Sequence, residues 1–166
     1  MYAVWLLLEE QDSEYINRII KNLSQRYGVT EFPCHITVYG LVNAELEVVE
    51  EAVKTSISNL KPFIVRKSGI EYSDDIWKSL FINIELTAEL RLINKKLTQK
   101  LVHYDKYEFL PHISLIYKKM AEYEKRKIID AMKIKNEFAI DKIAILEFSE
   151  NIQDWKIIRS FKLSKN

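Results

Sequence analysis

Two histidines in this chain lie in nearly the same local sequence. Residues 31–38 read Glu-Phe-Pro-Cys-His-Ile-Thr-Val, and residues 108–115 read Glu-Phe-Leu-Pro-His-Ile-Ser-Leu. In the first copy His35 precedes Thr37 by two positions, and in the second His112 precedes Ser114 by the same spacing. The chain has only three histidines. Since packing alone gives no reason to repeat a histidine and a hydroxyl together, we interpret the two copies as parts of one functional site.

The residue types in this repeat suit the chemistry of phosphate esters. Alternation of apolar and polar residues predicts a strand in each copy, which places the histidine and the hydroxyl on the same face. An imidazole has a pKa of roughly 6.5, so one ring can accept a proton while the other donates one. The two hydroxyls can donate hydrogen bonds to phosphate oxygens, where negative charge develops as water attacks. This scheme requires no metal and no cofactor.

The elements around the two histidines repeat as well. Trp5 lies 30 residues before His35, and Phe81 lies 31 residues before His112. Each half therefore reads as a strand, an amphipathic helix and a histidine strand. We predict two halves related by a pseudo-twofold axis, which would bring the two histidines to one central cleft.

Further elements follow from hydrophobic periodicity and turn signals. Asp12 or Ser13 is expected to cap the first helix, and Gly28 to end it. Other predicted elements are strands over 1–8, 63–72, 79–86, 137–148 and 155–163, and helices over 44–57, from residue 87, and after residue 118.

Two remaining residues with reactive side chains are interpreted as structural. Cys34 is expected to be a buried strand residue and not a nucleophile, although it adjoins His35. His103 lies outside the repeat, near the end of a predicted helix, where a cation favours the helix C-terminus.

Composition indicates one compact domain over residues 1–166, with 48% hydrophobic residues and a net charge of +1. The acidic residues that follow the first apolar strand come too early for a membrane span, so we expect a soluble protein. A single cysteine favours a reducing compartment, and we expect a cytoplasmic monomer. Basic residues are concentrated over 91–128 and could steer an anionic substrate, whereas a solvated helix face is the commoner explanation.

The paired His-x-Thr/Ser motifs resemble those of the 2H phosphoesterase superfamily. Within it, the chain is most similar to the cyclic phosphodiesterases of the plant and fungal type, through residues 2–6, 32–40 and 111–117. The resemblance implies a bilobal α+β fold, with antiparallel sheets lining a central cleft and helices outside. The chain differs from the plant type in having a single cysteine, and in having Lys118-Lys119 where a glycine is usual.

The resemblance also implies roles for individual residues. His35 would be the general base and His112 the general acid, with the reverse assignment left open by the near symmetry of the motifs. Thr37 and Ser114 would bind the phosphate, and Tyr117 would lie near it. Strand alternation places Tyr117 on the face opposite His112, so a bend or a strand end must intervene if it is to reach the site. Trp5 is interpreted equally as a core residue or as a ring that stacks on the substrate.

Three functions are compatible with these residues. The first is hydrolysis of a 2',3'-cyclic phosphate or an ADP-ribose 1'',2''-cyclic phosphate. The second is action on oligonucleotides, such as 2'-5' linked RNA ends, 2'-5' oligoadenylate or cyclic oligonucleotide signals, which the basic segment over 91–127 would favour. The third is a non-catalytic nucleotide-binding module. A long basic tract of the kind that binds duplexes is absent from the sequence.

Overall fold

The computed structural model describes residues 1–164. Its elements alternate between strands and helices. In chain order they are β1 (Tyr2–Leu8), α1 (Glu10–Tyr27), β2 (Ile36–Val42), α2 (Leu46–Ser56), β3 (Phe63–Tyr72), β4 (Leu80–Ile84), α3 (Ala88–Leu101), β5 (His112–Ile116), α4 (Glu122–Ala131), β6 (Glu137–Glu147) and β7 (Lys156–Lys162), with 3-10 turns at Ile76–Lys78 and Ile152–Asp154.

All the strands pair antiparallel in one sheet with the order β2-β1-β6-β3-β4-β5, and β7 pairs with β6. Strand β3 belongs to both halves of the sheet. Its first residues, 63–66, pair with β6, and its residues from 67 to 72 pair with β4. The predicted α+β class with antiparallel strands is therefore confirmed, and the two halves are joined through β3.

The internal duplication is visible in the strand register. Trp5 on β1 lies opposite Thr37 on β2, and Phe81 on β4 lies opposite Ser114 on β5. The two units β1-α1-β2 and β4-α3-β5 thus place an aromatic residue beside the hydroxyl of each motif. This is the repeat of strand, helix and histidine strand that the sequence predicts.

The helices connect the two halves. Helix α1 packs against β5 of the other unit, and α3 packs against β2. On α3 the Asn94 side chain donates a hydrogen bond of 3.0 Å to the Val38 carbonyl on β2. Because each helix covers the strand of the opposite unit, neither unit can shift without disturbing the other.

Helix α1 buries its apolar face in the core as the periodicity predicts. Ile16 and Ile20 are almost fully buried, and Leu23 is 6% exposed. Burial of each such side chain stabilises the fold by about 1.5–3 kcal/mol. The helix ends at Gly28, whose φ of 64° lies in the left-handed region that glycine adopts without strain. No helix in residues 1–164 is long and apolar enough to cross a membrane.

The expected start of α1 is wrong. The N-cap is Glu9, and both Asp12 and Ser13 lie inside the helix. The Asp12 carboxylate instead accepts a hydrogen bond of 2.7 Å from the Ala139 amide and pairs with Lys135. The Ser13 hydroxyl donates to the Leu8 carbonyl at 2.9 Å. Both polar side chains are therefore engaged in contacts outside the helix, which a local capping pattern cannot reveal.

Candidate active site

The two histidine motifs meet at one cleft of about 300 Å³. All six residues that the sequence predicts for the site line it: Trp5, His35, Thr37, His112, Ser114 and Tyr117. They come from β1, from both histidine motifs and from the residue that follows β5. The structure thus brings together side chains that are up to 112 positions apart in the chain.

His35 is buried at the base of this cleft. The residue is only 6% exposed. The Trp5 indole stacks on the imidazole, with ring centroids 3.5 Å apart and planes 9° from parallel. The His35 Nδ1 lies 2.8 Å from the Pro33 carbonyl oxygen. Since a carbonyl oxygen only accepts, Nδ1 carries the hydrogen, and Nε2 is the nitrogen that can take up a proton.

His112 repeats this local arrangement in a more accessible place. Its Nδ1 lies 2.7 Å from the Leu110 carbonyl oxygen, again two residues earlier in the chain. Its ring meets the edge of Phe81, with centroids 5.4 Å apart and planes at 70°. The residue is half-buried. Both imidazoles therefore hold the same tautomer, and they differ in how far solvent and ligands can reach them.

The two copies keep the same backbone despite a shifted proline. Before His35 comes Cys34, whose amide donates a 2.8 Å hydrogen bond to the Asn17 side chain on α1. Before His112 comes Pro111, which has no amide hydrogen to satisfy. The first motif thus has one additional amide hydrogen, and the Asn17 side chain accepts a hydrogen bond from it.

Burial changes the protonation of both rings. Burial, together with a smaller effect of His112, lowers the pKa of His35 to about 3. The hydrogen bond with the Pro33 carbonyl opposes this shift. Burial likewise lowers the pKa of His112, and the Lys78 ammonium adds to this effect. Both imidazoles are therefore neutral at pH 7 in the free protein.

The hydroxyls of the two motifs are in different states. Ser114 is buried and donates to the Trp77 carbonyl at 3.1 Å. Thr37 is half-buried, and its hydroxyl has no partner among the hydrogen bonds formed within residues 1–164. The Thr37 hydroxyl is free to donate to a ligand, whereas that of Ser114 must first leave a backbone oxygen.

Tyr117 reaches the cleft because β5 ends one residue before it, at Ile116. The strand end that strand alternation requires is thus present. Its ring stacks on Phe32, with centroids 4.0 Å apart and planes at 22°. Burial raises the pKa of Tyr117, and a hydrogen bond with Ser114 opposes that rise. The phenol is therefore neutral and contacts one of the predicted phosphate-binding hydroxyls.

One end of the cleft is an aromatic wall that sequence reasoning missed. Trp77 and Trp155 are nearly parallel, with centroids 6.1 Å apart, and Phe148 packs against both. Trp77 is 40% exposed, so part of its ring is open to a ligand. All three tryptophans of the chain line this cleft. The rarity of tryptophan was the available signal in the sequence, because the chain has only three tryptophans, as it has only three histidines.

The loop that leads to His112 is fastened to β2. The Tyr39 hydroxyl donates to the Asp105 carbonyl at 2.6 Å, and the Asn43 amide donates to the Asp105 carboxylate at 2.9 Å. The Tyr107 hydroxyl donates to the Thr37 carbonyl at 3.3 Å. Burial raises the pKa of Tyr107 to about 12, so this phenol keeps its proton. These contacts fix the position of one motif relative to the other.

Other candidate residues lie outside the chemistry. Cys34 is 3% exposed and burial raises its pKa to about 11, so it is a thiol at neutral pH. His103 is exposed in the turn after α3 and does not line the cleft. Within residues 1–164, no group of three or more His, Cys, Asp or Glu side chains is arranged to hold a metal ion.

Comparisons with known proteins agree with this geometry. The family model of the 2'-5' RNA ligase superfamily matches residues 8–151. A cyclic phosphodiesterase from Arabidopsis thaliana is 18% identical over 126 residues, which cover 76% of this chain and 70% of that protein.

Solved structures share the fold over almost the whole chain. TT0787 of Thermus thermophilus superposes with a TM-score of 0.67 at 17% identity, covering 98% of this chain and 97% of that one. LigT of E. coli complexed with 3'-AMP gives 0.63 at 12% identity and covers 99% and 98%. Usb1 of Kluyveromyces marxianus with uridine monophosphate gives 0.52 at 12% identity and covers 98% and 96%.

Proposed function

This chain belongs to the 2'-5' RNA ligase superfamily, the 2H phosphoesterases, and from that premise we propose that it is a cyclic phosphodiesterase. It hydrolyses a 2',3'-cyclic nucleotide or an ADP-ribose 1'',2''-cyclic phosphate without a metal ion. The similarity to the cyclic phosphodiesterase of Arabidopsis thaliana supports this reaction class.

One observation carries the proposal. Two imidazoles, each holding its Nδ1 hydrogen on a backbone carbonyl, line a single cleft together with two hydroxyls. This arrangement leaves both Nε2 atoms for proton transfer. The Thr37 hydroxyl can donate directly to a phosphate oxygen, and the Ser114 hydroxyl can do so after leaving the Trp77 carbonyl. A cyclic phosphodiester needs one proton acceptor for water and one proton donor for the leaving oxygen, and the cleft supplies both.

The different environments of the two rings support different roles for them. His35 is buried under Trp5 and has the lower pKa, so it is the neutral ring that takes a proton from water. His112 is more accessible, and an anionic substrate raises its pKa so that it gains a proton on binding. Water then attacks phosphorus, the bond from phosphorus to one ribose oxygen breaks, and His112 protonates that oxygen. Thr37 and Ser114 bind the non-bridging oxygens, and Tyr117 lies beside Ser114.

The dimensions of the cleft favour a small substrate. Its volume of about 300 Å³ is at the lower end of the roughly 300–1,000 Å³ that ligand pockets occupy. The exposed part of Trp77 provides a face on which a nucleobase can stack. None of the lysines and arginines over 91–127 lines the cleft, and Lys125 is buried, with its ammonium on the Ser73 carbonyl at 2.8 Å. The basic segment therefore gives little support to an oligonucleotide substrate.

A second candidate function, action on short 2'-5' linked or cyclic oligonucleotides, rests on a separate hollow. This open hollow of about 910 Å³ shares Tyr117 and Trp155 with the cleft and continues along the loop of residues 28–33. A further nucleotide could lie there, on the far side of the Tyr117 and Trp155 rings. The LigT and Usb1 structures, which contain nucleotides, support nucleotide binding under either candidate.

The deciding experiment compares turnover of 2',3'-cyclic mononucleotides with that of 2'-5' linked and cyclic oligonucleotides, each with and without a metal chelator. We expect hydrolysis of the cyclic mononucleotides to a nucleoside monophosphate. Turnover of oligonucleotides alone would establish the second candidate and reject the first. Loss of turnover on adding chelator would reject the metal-free scheme. Nucleotide binding without any turnover would indicate a non-catalytic module.

A further inference from the structure

Among residues 1–164, Lys78 is the only lysine or arginine that lines the cleft. It lies at the end of the 3-10 turn Ile76–Lys78 and is half-buried. Its ammonium lies 5.0 Å from the centroid of the Phe81 ring. Within residues 1–164 it forms no ion pair. A half-buried cation without a carboxylate partner keeps its attraction for an anionic ligand.

The position of this ammonium is on the His112 side of the cleft. Phe81, over which it lies, meets His112 edge to face. The charge of Lys78 contributes to the lowered pKa of His112, whereas the charge that lowers the pKa of His35 is that of His112. Lys78 is therefore on the same side of the cleft as Phe81 and His112.

Two acidic residues also line the cleft, and neither forms an ion pair with Lys78 in the described part of the chain, although the Asp75 charge opposes the effect of Lys78 on the pKa of His112. Asp75 accepts a hydrogen bond of 2.9 Å from the Trp77 amide and so caps the 3-10 turn. Glu108 is exposed. Neither carboxylate lies within 4.0 Å of the Lys78 ammonium in the described part of the chain. The nearest acidic side chain thus stabilises the loop that carries Lys78.

We propose that Lys78 determines substrate specificity by binding a second phosphate, attached to the same ribose as the cyclic phosphate that is hydrolysed. This inference rests on the proposed function, because it uses the assignment of His112 to the leaving ribose oxygen. The ribose then lies on the side of Lys78, and its 5' position is within the same part of the cleft. A cyclic phosphodiester carries one negative charge, which Thr37, Ser114 and protonated His112 already face. The substrate class is therefore a 5'-phosphorylated nucleoside 2',3'-cyclic phosphate.

The test compares two substrates that differ only in the 5'-phosphate, adenosine 2',3'-cyclic phosphate and its 5'-phosphorylated form. We expect the wild-type protein to favour the 5'-phosphorylated substrate in kcat/KM. Lys78→Met should reduce that preference by about tenfold, since hydrogen bonds to charged groups contribute about 1.5–3 kcal/mol. Any effect of Lys78 on His112 acts equally on both substrates and cancels in the ratio. Lys78→Arg should retain most of the preference.

Lys119→Met is the matched control, because Lys119 is exposed and does not line the cleft. It removes the same charge and should leave the ratio unchanged. An unchanged ratio in Lys78→Met, or an equal loss with both substrates, would overturn the proposal.

A binding measurement separates this inference from the proposed function. Adenosine 2'-monophosphate and adenosine 2',5'-bisphosphate are titrated into the protein, and tryptophan fluorescence reports binding because all three tryptophans line the cleft. Lys78→Met should weaken the bisphosphate about tenfold more than the monophosphate. If the wild-type protein hydrolyses neither cyclic substrate, the proposed function fails, while this titration still decides whether Lys78 binds the 5'-phosphate.

Discussion

The Trp5 indole lies flat on the His35 imidazole, with ring centroids 3.5 Å apart. The corresponding residue of the second unit, Phe81, meets His112 with its edge instead. The register of the two units is equivalent, with Trp5 opposite Thr37 and Phe81 opposite Ser114. A symmetric backbone therefore carries an asymmetric pair of histidines, one covered and one accessible. Under the proposed function, this asymmetry supports different roles for two almost identical motifs.

Replacement of either motif histidine should remove activity. We expect His35→Asn and His112→Asn each to lower kcat/KM for a 2',3'-cyclic nucleotide by about 10²- to 10⁴-fold, the contribution of general acid and base catalysis. The third histidine provides a matched control, since His103 is exposed outside the cleft. His103→Asn should keep full activity. Wild-type rates in either motif variant would contradict the acid and base assignment.

Trp5 and Trp77 should affect different kinetic constants. Because Trp5 is 2% exposed and its face is covered by His35, we expect Trp5→Leu to misplace the imidazole and lower kcat by about ten- to a hundredfold, with KM almost unchanged. Trp77 has an exposed face, so Trp77→Leu should raise KM by about tenfold through lost stacking on the base. Steady-state kinetics of both variants test this. A raised KM in Trp5→Leu with unchanged kcat would instead indicate that Trp5 stacks on the substrate.

The buried imidazole of His35 should make the fold sensitive to acid. Burial lowers the pKa of His35 to about 3 in the folded state, whereas the unfolded value is roughly 6.5. Between these values the unfolded chain binds the additional proton, so stability falls as pH decreases from about 6.5 towards 3, by up to about 1.4 kcal/mol per pH unit. Urea unfolding at pH 7 and pH 4.5 should show a smaller loss for His35→Asn than for the wild type. Equal losses would argue against a buried neutral His35.

Gly40 should be required for the loop that leads to His112. A Cβ at this position would come within 2.5 Å of Cδ2 and 2.7 Å of Cε2 in the Tyr107 ring. We expect Gly40→Ala to destabilise the fold by about 1–3 kcal/mol through this clash. In the background of Tyr107→Ala the same substitution should cost much less, because the ring is gone. A double-mutant cycle by urea unfolding measures the difference, and additive effects would contradict a direct clash.

Cys34 should be dispensable for catalysis. Burial raises the pKa of Cys34 to about 11, so the thiolate that a nucleophile requires is scarce at neutral pH. We expect Cys34→Ala to retain kcat. The measurement is turnover of a cyclic nucleotide by the variant, with His112→Asn as the inactive reference. Loss of activity in a folded Cys34→Ala protein would reopen the nucleophile hypothesis.

Much of the fold follows from local patterns in the sequence. The predicted strand over 63–72 coincides with β3, and the predicted end of α1 at Gly28 is observed. These elements are set by hydrophobic period and by backbone preference, which are properties of neighbouring residues. The predicted start of α1 was wrong because Asp12 forms its contacts with residues more than 120 positions away in the chain.

The candidate site divides in the same way. The residues of the two histidine motifs could be identified from the sequence because each histidine precedes a hydroxyl by two positions along a strand, and this spacing occurs twice. Trp77 and Lys78 lie between the predicted strands over 63–72 and 79–86, where the sequence predicts no strand or helix. Their place in the cleft depends on the pairing of β4 with β5 and on the cap formed by Asp75. No short pattern records such contacts.

The sequence by itself determined the two matching motifs of a histidine and a hydroxyl, since a repeated local spacing survives any arrangement of the rest of the chain. Only the tertiary structure decided which imidazole is buried, because burial of His35 depends on Trp5 and Trp155, which reach it from distant strands and loops. It also decided that Tyr117 enters the cleft, through the end of β5 at Ile116. Burial and charge are sums over residues that are distant in sequence, and folding alone brings those residues together.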